Sequence, residues 1–128
     1  MKNYIKLVLV VMALFGHSDF ADVVLKDNSD ILGKWKLTSE ATKIDGEKKQ
    51  VKVEWDFKSD GTLLTTSTDS VGRTKEMKIA VKYSIENGEI KKQTKPGQEK
   101  YESCKVLEKY GNNMVLKCMF LFYFLTKI

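Results

Sequence analysis

Apolar and polar residues alternate along most of this chain with a period of two, and turn-forming residues cut the alternation into short runs. Val51, Val53, Trp55 and Phe57 alternate without a fault with Lys52, Glu54, Asp56 and Lys58. Successive side chains of a strand point to opposite faces, so each run is a strand with one face on a core and one in water. Trp35, Leu37, Ser39 and Ala41 alternate in the same way with Lys34, Lys36, Thr38 and Glu40. Met77, Ile79, Val81, Tyr83 and Ile85 form another inward row, opposed by Lys78, Lys82, Ser84 and Glu86. Asp45-Gly46, Asp60-Gly61, Asn87-Gly88, Lys95-Pro96-Gly97 and Gly111-Asn112-Asn113 mark the turns. The chain is therefore all-β and antiparallel.

The turns set expectations for register. A two-residue type I′ loop at Asp60-Gly61 would place Phe57 opposite Leu64, with Leu64 and Thr66 inside and Leu63 outside. Asn87-Gly88 places Ile85 across from Ile90. Asn28-Ser29-Asp30 reads as a turn or cap leading into a short helical turn that seats Ile31 and Leu32 against the end of the sheet. The tail from Met114 to Ile128 is apolar on both faces around residues 119–125. Its aromatic residues favour strand, and its length implies a bend near Lys117–Met119 or two strands joined almost directly. Cover from the N-terminal segment would account for its two apolar faces. The count is about eight strands.

Lys2 and Lys6 precede or flank an apolar run, Ile5–Phe15, which is the pattern of a secretion signal. The run is shorter than the roughly 20 residues that span a bilayer, so no stable membrane anchor is expected. Cleavage after Ala21 leaves a small residue at the cut but places Asp19 close before it; cleavage after Ser18 is the alternative. Residues 1–21 are thus assigned to the signal and 22–128 to one domain, about 107 residues with a single core. The expected location is periplasmic or secreted.

In that compartment two cysteines, Cys104 and Cys118, form a disulfide more often than two free thiols. Opposed residues of a hairpin have a constant sum, and theirs is centred on Gly111. A three-residue loop at Tyr110–Asn112 would bring the sulfurs together.

Catalytic chemistry is poorly supplied. The only histidine, His17, lies in or beside the signal. Ser-His and Cys-His nucleophilic pairs and the commonest metal ligand are therefore missing from the domain, and neither a metal nor a cofactor is expected. Glu54 and Asp56 fall on a solvent face. The lysines are scattered and net charge is only +5 for the chain, without aromatic residues interleaved for stacking, which argues against nucleic acid. The groups at Lys48–Lys52 and Lys91–Lys100 read as solvated. The chain is read as a non-enzyme.

Gly33-x-Trp35 on the first strand, followed by Trp55-Asp56-Phe57-Lys58-Ser59-Asp60-Gly61-Thr62 and an aromatic last strand, resembles a bacterial lipocalin-like domain over roughly residues 31–128. The resemblance implies an up-and-down barrel of about eight strands, with Gly33 and Trp35 at its closed end. It also implies a basic residue on the last strand over the tryptophan, a role that only Lys127 can fill here. Such a barrel either fills with side chains or holds one small ligand. Trp55, Phe57, Leu64, Met77, Ile79, Val81 and Tyr83 are the candidate cavity residues, with Tyr83 the best polar handle. The leading expectation is a binding protein for a small apolar ligand of the lipid or fatty-acid class. The alternative is a filled barrel acting through its surface on a protein partner, as an inhibitor, immunity or adaptor protein.

Overall fold

The computed structural model describes residues 22–68 and 75–128, so the expected signal at 1–21 lies outside the described residues. Eight antiparallel strands close into one barrel in chain order: β1 (Gly33–Ala41), β2 (Lys49–Phe57), β3 (Thr62–Ser67), β4 (Met77–Glu86), β5 (Glu89–Gln93), β6 (Tyr101–Tyr110), β7 (Asn113–Lys117) and β8 (Phe122–Lys127). β8 pairs back on β1, which leaves no free sheet edge. The expected alternation holds on β2, where Trp55 and Phe57 are buried, and on β1 as far as Leu37. A register shift between Leu37 and Ser39 then sets Glu40 opposite Tyr123, whose ring meets Trp55 inside, and Ser39 and Ala41 opposite Phe124 and Phe122 on the outer face. Ser39 and Ala41 are therefore buried outside the core. No helix occurs among the described residues. Before β1 the chain makes one hydrogen-bonded turn, in which the Ile31 N–H donates to the Asn28 carbonyl at 3.1 Å.

Up-and-down order puts alternate connections at opposite ends. The N-terminal segment and the tight turns at 58–61, 87–88 and 111–112 gather at one end, which is closed. There Ile31 and Leu25 are buried under the barrel, and the Trp35 indole N–H donates to the Ile31 carbonyl at 2.8 Å. The connections at 42–48, 94–100 and 118–121 gather at the other end with the entry to β4.

Two registers differ from expectation. Phe57 pairs with Leu63, not Leu64. Only Gly61 of the pair Asp60-Gly61 has positive φ, +92°, so the link is not a type I′ turn. The Gly61 N–H donates to the Lys58 carbonyl and the Lys58 N–H to the Thr62 carbonyl, giving a three-residue loop that ends in a left-handed glycine. One added residue exchanges the faces. Leu63 is fully buried and Leu64 half-exposed on the outside, which removes Leu64 from the interior. Asn87-Gly88 does form the two-residue turn with both φ positive, and Ile85 pairs with Ile90.

The second difference lies in the β6–β7 hairpin. Its loop is the two-residue Gly111-Asn112, with Tyr110 opposite Asn113. A bulge between Val106 and Glu108 then shifts the register by one, so that Val106 faces Leu116 and Lys105 faces Lys117. Cys104 and Cys118 are thereby opposed and bonded, with Cα atoms 4.1 Å apart. The tail is two strands joined by residues 118–121. Its outward phenylalanines lie under lysines, and the described part of the N-terminal segment reaches β6 through the Val23 N–H on the Val106 carbonyl. Lys48 Nζ stands 4.2 Å from the Phe124 ring centroid and Lys117 Nζ 5.9 Å from that of Phe122.

Candidate functional site

Aromatic rings run along the barrel interior. Tyr83 meets Phe57 edge-on with centroids 5.1 Å apart, Phe57 meets Trp55 at 6.0 Å, and Trp55 meets Tyr123 at 5.3 Å across the barrel. Below Trp55, toward the closed end, one continuous core includes Trp35, Phe57, Leu63, Val81, Tyr83, Ile90, Val106, Met114, Leu116 and Leu125. That half is filled.

The closed end is fixed by hydrogen bonds. Lys127 Nζ stands 4.9 Å from the Trp35 ring centroid and donates to the Leu32 carbonyl. Gly33 has φ +104°, and a Cβ there would lie 3.1 Å from Lys127 Nζ. Gly33, Trp35 and Lys127 therefore form one contact. The Tyr83 hydroxyl donates to the Lys58 carbonyl at 2.7 Å and accepts from Asn28 Nδ2 at 3.1 Å. Burial raises its pKa, opposed by the Asn28 hydrogen bond, with Asp60 and Asp56 raising it further. Tyr83 is thus engaged at the closed end and is no handle for a ligand.

Above Trp55 the inner face is exposed among the described residues along β4, while on the β6–β7 side the Cys104–Cys118 disulfide is buried. Thr65 pairs with both Trp55 and Ile79, and Ser67 with both Val53 and Met77, so these residues continue the inward rows. Yet Val53 is only half-buried, Ile79 is 38% exposed and Met77 57% exposed. Of the seven cavity candidates, Trp55 forms the floor and Ile79 and Met77 the wall of this cup. Phe57, Val81 and Tyr83 are core, and Leu64 is outside.

The floor also holds charge. Lys92 pairs with Tyr83 on one side and Glu102 on the other, which directs Lys92 and Glu102 inward. Lys92 Nζ lies 2.7 Å from Glu102 Oε2, with only 12% and 13% of the two side chains exposed. The same ammonium stands 5.5 Å from the Trp55 ring centroid. Glu102 Oε1 accepts from the Met119 N–H at 3.3 Å, tying the 118–121 connection to the cup. Tyr123, beside Trp55, has its pKa pushed up to about 12, first by burial and then by the negative charges of Glu102 and Glu40. Sequence reasoning missed this trio. The signal was present: once Ile90 is set inward by its turn, Lys92 two residues on must follow, and Glu102 stands two before Cys104.

The surface hollows lined by described residues, of about 310–470 Å3, lie on the outer wall or at the closed end. Among the described residues no group of His, Cys, Asp and Glu is placed to hold a metal ion.

No protein-family model and no curated protein matches the chain. Two solved structures do. A lipocalin-like protein from Bacteroides uniformis ATCC 8492 superposes with a TM-score of 0.63 at 19% identity, over 78% of this chain and 100% of that one. An uncharacterized protein from Bacteroides eggerthii DSM 20697 gives a TM-score of 0.60 at 17% identity, over 76% and 98%. At such identities the likeness is one of architecture, and on that ground the chain has the fold of a lipocalin-like protein.

Proposed function

We propose that this chain is an exported, non-catalytic binding protein that takes a small amphiphilic molecule into the open half of its barrel. The observation that carries the reading is the cup itself: accessible Val53, Ile79 and Met77 above Trp55 and Tyr123, with the Lys92–Glu102 pair in the floor. Apolar walls with a few convergent polar groups are the ordinary composition of a ligand site. The filled half below Trp55 limits depth, so a ligand enters by one end only, and a long acyl chain would project from the mouth. Export is supported by the buried Cys104–Cys118 disulfide, which suits an oxidising compartment. No helix among the described residues is long and apolar enough to cross a membrane.

The test is native mass spectrometry of the protein recovered from its exporting cell, followed by solvent extraction and titration with a fluorescent apolar probe. A lipid-sized adduct, or probe binding that Ile79→Glu abolishes, is the expected result. Affinity no better than about millimolar, around −4 kcal/mol, for every apolar probe ends this reading.

The continuous core favours a second reading, the filled barrel that acts on a protein partner through its outer surface. An apo mass together with a stoichiometric protein partner recovered at low salt would replace the first reading by this one.

A further inference from the structure

Charge and exposed apolar surface are both distributed unevenly between the two ends of the barrel. Residues 42–49, 75–78, 94–100 and 117–121, at the open end, carry eight lysines and four carboxylates. Residues 22–32, 58–61, 86–89, 108–112 and 127–128, at the closed end, carry four lysines and seven carboxylates. The open end is thus basic and the closed end acidic. Of the exposed large hydrophobics, Ile44, Met77, Ile79, Tyr101, Met119 and Phe120 belong to the open end, with Phe120 78% and Met119 57% exposed, against Val24, Tyr110 and Ile128 at the closed end.

The two features interleave. Ile44 adjoins Lys43, Met77 and Ile79 flank Lys78, and Lys117 precedes the loop that bears Met119 and Phe120. That loop is short and held at three points: the disulfide at Cys118, the Cys118 N–H on the Leu121 carbonyl at 2.9 Å, and the Met119 N–H on Glu102. Its apolar tip therefore cannot fold back to hide from water. Large apolar side chains on a firm rim between lysines match a bilayer interface with anionic headgroups, where the apolar groups enter the acyl boundary and the lysines meet the phosphates.

We propose that the open end of the barrel docks reversibly on an anionic membrane surface, with Phe120 and Met119 inserted and Lys43, Lys78 and Lys117 over the headgroups. Charge complementarity selects this occupant: the acidic closed end would be repelled by the same surface, so docking orients the mouth toward lipid. The proposal stands apart from what the cup holds, since it needs no ligand.

The test is sedimentation of the exported protein with vesicles of zwitterionic phospholipid, alone or with about one third anionic phospholipid, at about 0.1 M salt. At that ionic strength the screening length is still about 10 Å. Expected are at least tenfold tighter binding to anionic vesicles and a loss of at least tenfold on raising the salt to about 0.5 M. Met119→Ser with Phe120→Ser should reduce binding tenfold or more, and Lys43→Glu with Lys117→Glu should do the same. Lys26→Glu with Lys109→Glu, at the closed end, should change it less than twofold. All proteins share one N-terminus, so residues 1–21 cancel in the comparison, and retention of the disulfide and of the far-ultraviolet spectrum confirms folding. Rim variants that bind as wild type overturn the proposal. So does an absence of anionic-lipid binding, or a rim that instead retains an acidic protein at the same salt.

Discussion

Lys92 and Glu102 meet at 2.7 Å on facing positions of β5 and β6, inside a barrel and within reach of its aromatic core, the Lys92 ammonium standing 5.5 Å from the Trp55 ring centroid. Removing one partner strands the other in a poorly hydrated site. Glu102→Leu or Lys92→Met alone should each cost about 3 kcal/mol in denaturant unfolding, whereas the double variant should cost about 1 kcal/mol or less. A cycle in which the two single costs simply add would remove the pair from the account of the interior. Under the proposed function, the double variant folds but holds amphiphiles with a charged head at least tenfold more weakly.

Tyr123 ties stability to high pH. Its folded pKa of about 12 lies above the ordinary tyrosine value near 10, because burial and then Glu102 and Glu40 disfavour the phenolate. The folded state therefore holds this proton more tightly than the unfolded chain. Its contribution is fully present below about pH 10 and is lost as pH rises through about 12. Unfolding measured from pH 9 to 12 should show a steeper loss for wild type than for Tyr123→Phe. Parallel curves would disprove the coupling.

Leu63 and Leu64 separate the two registers of the β2–β3 hairpin. Leu63 is fully buried, so Leu63→Ala should cost about 2–5 kcal/mol. Leu64→Ala, on the outer face, should cost about 1 kcal/mol or less. The opposite order in thermal or chemical unfolding would return Leu64 to the interior.

At the closed end, Gly33→Ala must hold φ near +104° and bring a methyl to 3.1 Å from Lys127 Nζ. A loss of about 1–3 kcal/mol is expected from the backbone alone. Lys127→Met removes the donor to the Leu32 carbonyl and the charge over Trp35, and should both destabilise and shift the tryptophan emission. Lys127→Arg should restore most of the stability.

The strands and most of their turns were legible from local pattern, and the cysteine pairing from compartment and spacing, although the loop that forms is one residue shorter than the Tyr110–Asn112 loop expected. The up-and-down closure of the barrel was implied by the resemblance to lipocalin-like domains. Asn87-Gly88 was legible because both residues tolerate left-handed backbone, so one turn type follows. Asp60-Gly61 was ambiguous: the same dipeptide also closes a loop in which only the glycine is left-handed, and one residue of difference moves Leu63 inward. Lys92 was hidden by its neighbour, since Lys91-Lys92 reads as a solvated pair until parity is counted from Ile90. The cover over Phe122 and Phe124 comes partly from Lys48, on another loop, and distant contacts of that kind leave no local trace. The exposure of Met77 and Ile79 on the inner face was not legible either, because period-two alternation reports which way a side chain points and says nothing of how closely it is packed.

The bulge at Leu107 gives the disulfide a second role. With the two-residue turn at Gly111-Asn112, a straight ladder would run on past Glu108 and set Cys104 beside Met119, its sulfur directed away from Cys118. The bulge absorbs the odd residue, and the bond between Cys104 and Cys118 forbids it to travel along the hairpin. Reduction therefore does more than release about 3 kcal/mol of chain-entropy restraint on the 14-residue separation. It leaves β6 free to slide by one place, with every side chain beyond the turn changing sides. A reduced protein should show doubled amide resonances over residues 101–107 while the remainder of the barrel keeps one set; one sharp set throughout would mean that packing alone holds the bulge. The covalent bond in this hairpin fixes a count as well as a contact.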